Sequence, residues 1–163
     1  MTEKQVREVL QGKKIPAQEI DIQEVLNYNK ALYFIEQLTK KENVNFTEDL
    51  IKKINTLILK GIKDDISGKY RIKQVIVGDY LPPQYSIVPT LMEEYVQWTN
   101  NPQPPHLSPI LYTGIGHYQL VAIHPFEDGN GRTTRVLTTL MLVKYGYDIT
   151  SFFALESFYN RNR

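Results

Sequence analysis

Seven residues within twelve positions carry the chemistry open to this sequence: His124, Asp128, Gly129, Asn130, Gly131, Arg132 and Arg135, in the run HPFEDGNGRTTR. A histidine titrates near neutrality and can take a proton from a hydroxyl. Pro125 disfavours helix at the residue before it, so an incoming helix should end at His124 and a loop is forced. Gly129 and Gly131 remove side chains where the backbone must approach something closely. A helix starting at or just after Asn130 would then offer free N–H groups and about half a positive charge to an anion. Arg132 and Arg135, one helical turn apart, add two planar guanidiniums suited to phosphate oxygens. Cations at a helix N-terminus oppose its dipole, and a bound polyphosphate would reverse that cost. Asp128 precedes this cradle, and a lone carboxylate beside phosphates suits magnesium. Together these types describe nucleotide transfer, with metal and arginines holding phosphates while His124 activates an alcohol for in-line attack.

Each residue also has an ordinary reading. A single histidine after an apolar helix is usually a core or capping residue, and two arginines usually mark a solvated face; their concentration here favours the phosphate site. His117 reads as packing on an apolar face, and His106, in a proline-rich loop, as solvated. Gly12-Lys13 and Gly68-Lys69 lack the preceding glycine and following Ser/Thr of a P-loop. The 11 tyrosines are scattered through predicted helices, which favours packing over base stacking.

The elements that must position the site are mostly helical. Apolar residues at three- and four-residue spacings predict a helix over about Asp21–Lys41. A second follows Thr47 as N-cap, with Leu50, Ile51, Ile54, Leu57 and Ile58 as its buried stripe, and ends at Gly61. From Gly61 to Pro89 the β-prone Tyr70, Ile72, Val75, Ile76 and Val77, followed by Gly78, Pro82 and Pro83, predict a β-hairpin or extended flap with an open edge. A helix over Thr90–Asn100 is broken by NNPQPP. The runs Ser108–Ile123 and Gly131–Tyr145 predict two buried helices packed on each other, with the candidate loop between them.

The chain has 163 residues, 19 basic against 18 acidic, and no cysteine. One domain spanning 1–163 is expected, burying roughly 70% of its unfolded surface. A net charge of +1 argues against nucleic-acid binding by bulk charge. The absence of cysteine excludes disulfides, thiolate zinc ligands and a cysteine nucleophile. Without a signal-peptide core or a spanning apolar run, no membrane partner is expected, and a cytoplasmic location is the expectation.

The run His124–Arg135 matches HPFx[D/E]GN[G/K]RxxR, the signature of the Fic (Fic/Doc) family, at every specified position. VGDYLPPQYSIVPTLM (Val77–Met92) resembles the family's flap and VPxLM helix start, and EVLNYNKAL (Glu24–Leu32) extends the likeness over nearly the whole chain. The resemblance implies a mostly α-helical Fic fold, a helical bundle around a central helix-loop-helix with one short β-hairpin flap. It implies transfer of AMP from ATP to a Tyr, Ser or Thr hydroxyl of a target protein, releasing pyrophosphate. Carried over, His124 is the base, Phe126 anchors the loop in the core, and Asp128 binds magnesium. Gly129, Asn130 and Gly131 form the anion hole, Arg132 contacts the β-phosphate region, and Arg135 lies near the γ-phosphate. Gly131, where phosphorylating relatives carry Lys, favours AMP transfer. Val77 and Gly78 would pair with an extended target segment.

Many relatives carry an inhibitory helix with an [S/T]xxxE[G/N] motif whose glutamate meets the arginine equivalent to Arg135. No such motif occurs in this chain. Both ends resemble family segments that continue further, so truncation relative to fuller members is expected. The inhibitory helix would then be missing or come from another segment or chain, and a second copy of the chain is one partner to consider. Two alternatives stay open: removal of AMP, which in relatives depends on the missing glutamate, and a non-catalytic nucleotide-binding module.

Overall fold

The computed structural model describes residues 1–40, 44–101 and 107–147. It contains α1 (Glu3–Leu10), α2 (Glu19–Thr39), α3 (Glu48–Leu59), α4 (Val88–Asn100), α5 (Pro109–Ile123) and α6 (Asn130–Lys144), with a one-turn 3-10 helix, Tyr85–Ile87, leading into α4. Local signals account for several boundaries. Thr47 Oγ1 accepts the Leu50 N–H at 3.1 Å, capping α3. Pro109 occupies the first turn of α5, and α6 stops before Gly146, whose φ of +86° belongs to the left-handed region. The predicted helices are therefore present, with α2 starting two residues earlier than its apolar pattern suggested.

α5 and α6 pack against each other, α2 and α3 pack together and on α6, and α4 lies against α5. Gly116 permits the close approach: a Cβ there would stand 2.9 Å from Met141 Cε on α6 and 3.0 Å from Trp98 Cζ3 on α4. Ile35, Ile54, Leu120, Leu137 and Leu140 are buried where these helices meet, each such side chain contributing about 1.5–3 kcal/mol of transfer free energy.

Three expectations are corrected. The buried arc of α3 includes Asn55 and Leu59, while Leu50 and Leu57 are only half-buried, because α3 is wedged between α2 and α6 rather than lying on one neighbour. α5 is not enclosed: Ile110, Leu111, Ile115, Tyr118 and Val121 are exposed. An all-round apolar sequence hides which side is covered, and α5 has packed helices on only part of its circumference. The flap contains no strand among the described residues. It narrows to a turn at Val77–Tyr80, whose N–H and C=O groups are exchanged at 2.9 and 3.0 Å. Pro82 and Pro83, without N–H donors, end any pairing there. His106, Pro102–Pro105 and the C-terminal SFFALESFYNRNR lie outside the described residues. No helix among the described residues is long and apolar enough to cross a membrane.

Candidate active site

His124 is the C-cap of α5, with φ 50° and ψ 60°, and it alone among the described non-glycine residues has positive φ. Pro125 accounts for the departure from helix, since it disfavours the right-handed conformation at the residue before it. The chain is then drawn back by side chains. Phe126 is buried, its ring 5.7 Å from that of Tyr70. The buried Asn130 accepts the Phe126 N–H at 2.9 Å and donates to the Phe126 carbonyl at 2.8 Å, closing the loop on itself. Asn55 of α3 donates to the Asp128 carbonyl at 3.0 Å and to Thr133 Oγ1 at 3.2 Å. Gly129, at φ +77°, could carry a side chain only with strain: a Cβ would stand 2.9 Å from Asn55 Nδ2. α6 begins at Asn130 without any side-chain N-cap, and Gly131 on its first turn is exposed. An anion cradle needs this combination of uncapped amides and no covering side chain.

The charged residues form a chain of ion pairs. Arg132 Nη1 lies 2.8 Å from Glu24 Oε1 and its Nη2 lies 3.3 Å from Asp128 Oδ1, while Asp128 Oδ2 accepts from Lys63 Nζ at 2.6 Å. Burial raises the Asp128 carboxyl, but the Lys63 hydrogen bond, the Gly129 amide and Arg132 outweigh it and hold it below the usual carboxylate value. Asp128 is therefore an anion beside the uncapped helix. The Arg135 guanidinium stands 5.9 Å from the Tyr28 ring centroid. Both arginines thus meet partners on α2, Glu24 and Tyr28, one turn apart.

Burial also lowers the pKa of His124; Arg71 adds to the lowering, while the Val121 carbonyl and Asp128 oppose it. Its Nδ1 is sealed from solvent without a well-formed hydrogen bond. A half-buried imidazole that is neutral at physiological pH is a competent proton acceptor. His117 sits instead between α5 and α6, its Nδ1 2.8 Å from Thr138 Oγ1. In the flap, Val77 and Gly78 are exposed on the turn, and Tyr80 Oη donates to the Ala122 carbonyl at 3.0 Å, fastening the flap to the end of α5.

Reading the sequence missed Glu24, Tyr28, Asn55, Lys63 and Arg71. Glu24 and Tyr28 lie in the family-like run Glu24–Leu32, and Asn55 gave a local signal, a polar residue inside the apolar stripe of α3; Lys63 and Arg71 gave none. Asn27 of α2 is the same kind of exception: it is buried, and it donates to the Ile58 and Lys60 carbonyls at 3.1 and 2.7 Å, fixing α2 against α3.

Among the described residues no group of three or more His, Cys, Asp and Glu side chains could hold a metal by itself. A single ionised carboxylate at an anion cradle does fit magnesium, which needs one or two carboxylates when phosphates and water complete its shell. Lys63, half exposed, would have to yield Oδ2.

The family model for the Fic/DOC family matches residues 45–142. The "Protein adenylyltransferase Fic" of Nematostella vectensis is 33% identical over 149 residues, covering 90% of this chain and 35% of that protein. Its namesake in Aedes aegypti is 35% identical over 124 residues, covering 76% and 25%. This chain therefore spans between a quarter and about a third of the length of these relatives. Among solved structures, Fic-1 (residues 134–508) of C. elegans superposes with a TM-score of 0.79 at 32% identity, covering 90% of this chain and 44% of that one. A Fic-domain-containing signaling protein of Bacteroides thetaiotaomicron also superposes with a TM-score of 0.79, at 28% identity, covering 91% and 59%.

Proposed function

The chain belongs to the Fic/DOC family, and on that footing we propose that it is a protein adenylyltransferase, moving AMP from ATP to a Tyr, Ser or Thr hydroxyl of a target protein. One observation carries the reading. A neutral, half-buried His124 closes α5 at one end of a side-chain-locked loop, and at the other end α6 starts uncapped with two arginines in its first two turns.

In the proposed reaction the acceptor oxygen attacks the α-phosphorus of ATP, the bond from that phosphorus to the bridging oxygen breaks, and pyrophosphate leaves. His124 takes the hydroxyl proton; with Nδ1 sealed, Nε2 is the nitrogen left for it. The first-turn amides of α6 at Asn130 and Gly131 bind phosphate oxygens, and the bare Gly131 leaves them room. Arg132 takes the β-phosphate and Arg135 the γ-phosphate, as charge builds on the leaving group. Asp128 would hold magnesium together with nucleotide oxygens, and the ion would supply charge neutralisation at the phosphates. Glu24 and Tyr28 keep the two guanidiniums oriented from α2. The turn at Val77 and Gly78 presents backbone to an extended target segment. Since no [S/T]xxxE[G/N] motif occurs in these residues, the site is either released from inhibition at Arg135 or receives the glutamate from another segment or chain.

The purified chain is incubated with magnesium, α-labelled ATP and host lysate, beside His124→Ala. The expected outcome is AMP on protein hydroxyls with the original chain, and a loss of about 10² to 10⁴-fold in the variant with ATP binding retained. Equal labelling by the two would remove His124 as the base, and no labelling by either would remove the activity.

A further inference from the structure

Arg71 is 2% exposed, the largest of the fully buried side chains. All the hydrogen bonds of its guanidinium go to backbone carbonyls. Nε donates to His124 O at 2.9 Å, Nη1 to Lys73 O at 3.2 Å and Nη2 to Pro83 O at 2.5 Å. Its own N–H donates to Pro125 O at 2.9 Å, beside the backbone bridge between Tyr70 and Phe126. One planar fork thus joins both ends of the flap to the residue at the turn out of α5. Burial pushes the guanidinium pKa down, a cost that a lone packing residue would not require.

We infer that Arg71 is a positioning residue that ties the shape of the target-docking flap to the orientation of the catalytic base. This rests on the function proposed above. His124 needs such a hold because its left-handed backbone is strained by about 1–2 kcal/mol for a residue with a Cβ, and would relax unless its carbonyl were pinned. The pin is the same group that draws Lys73 and Pro83 together. A target strand pressing on the flap therefore acts on the His124 carbonyl through Arg71, while the Tyr80 hydroxyl on the Ala122 carbonyl holds the flap to α5 short of the loop, and an ill-formed flap leaves the base misaligned. Gln74 provides the contrast: its Nε2 donates to Pro82 O at 2.8 Å, bracing the flap without touching the loop.

Arg71→Lys keeps the charge but cannot bond three separated carbonyls in one plane. The test compares the full chain carrying Arg71→Lys or Gln74→Ala with the unaltered chain, reading amide hydrogen exchange over residues 74–81 and the NMR signals of the His124 ring. Arg71→Lys is expected to speed flap exchange about tenfold or more and to displace the His124 signals together. Gln74→Ala is expected to speed exchange and leave the ring signals in place. Should Arg71→Lys fail to fold, Pro125→Ala perturbs the link from its other end and must speed flap exchange as well. The inference is overturned if loosening either end leaves the other unchanged, or if Gln74→Ala moves the ring signals as much as Arg71→Lys does. Neither readout needs AMP transfer, so an inactive original chain counts against the proposed reaction, and uncoupled signals against Arg71. Where transfer occurs, Arg71→Lys should lower kcat by about 10- to 100-fold with the ATP KM within about twofold, and an unchanged kcat also overturns it.

Discussion

The loop 124–130 and the flap 72–84 are both irregular chain, and they are held in opposite ways. The loop buries Phe126 and Asn130, and returns on itself through an asparagine that satisfies a backbone donor and acceptor four residues upstream. The flap leaves Ile72, Ile76 and Leu81 exposed at 72%, 72% and 64%. It closes on a two-residue backbone turn and on carbonyls collected by Arg71 and Gln74. A segment locked by buried polar side chains can hold a base and a phosphate cradle in register. A segment held at its ends and by one tyrosine hydroxyl, with its apolar side chains exposed, can adapt to what lies on it. Under the proposed function, the two regions would divide the work of chemistry and of target recognition along that line.

The largest expected effect tests the lock itself. Asn130→Ala strands the Phe126 N–H and carbonyl in a buried setting, each costing about 1–3 kcal/mol, so urea unfolding should show a loss of about 2–6 kcal/mol. A loss below about 1 kcal/mol would mean that the loop is held by the contacts of Asn55 and Arg71 rather than by its own asparagine. Burial, the property separating the two regions, also acts on the base. With His124 below the ordinary histidine value of 6.5, kcat/KM for transfer should fall on the acid side with a midpoint below that value. At pH 6 the chain should then keep more than about a quarter of its plateau, the fraction an unshifted histidine would keep. The sign follows from burial favouring the neutral, proton-accepting form; a midpoint above 6.5 would mean that Asp128 dominates.

Much of this was legible in the residues themselves. The helices of the bundle follow from apolar spacing, and Thr47 and Pro109 mark two starts. The loop was legible because its residues act on neighbours a few positions away: Pro125 on His124, and Gly129 on the start of α6. What could not be read acts across the chain. Glu24 meets Arg132, Lys63 meets Asp128 and Arg71 meets His124 only because α2, the segment after α3 and the flap are folded onto the loop. Residue types at a local spacing carry no record of those approaches. That the flap takes its extended rather than its hairpin form has a related reason. β-propensity at Ile72, Val75 and Ile76 describes side chains that suit a pleated neighbour, and no neighbouring strand is present among the described residues.

A matched pair of glycines sharpens the comparison with the smallest change. Gly129 in the loop and Gly78 in the flap both have positive φ, at +77° and +58°, so alanine at either meets the same backbone strain of about 1–2 kcal/mol. The surroundings differ. At Gly129 the new Cβ stands 2.9 Å from Asn55 Nδ2 and 3.4 Å from Leu59 Cδ2, whereas at Gly78 nothing lies within 4 Å. Overpacking adds about 1–3 kcal/mol only at the loop, so Gly129→Ala should lose about 2–4 kcal/mol in denaturant unfolding. At both glycines the strain is partly offset by the lower entropy of the unfolded chain, worth about 0.4–1 kcal/mol, leaving a loss of about 1 kcal/mol or less at Gly78. Because Gly78 lies in the segment proposed to pair with targets, Gly78→Ala should raise the KM for the target protein while the ATP KM stays within about twofold. Equal stability losses at the two glycines would show that the flap is as tightly enclosed as the loop, and the division of labour drawn from their packing would fail.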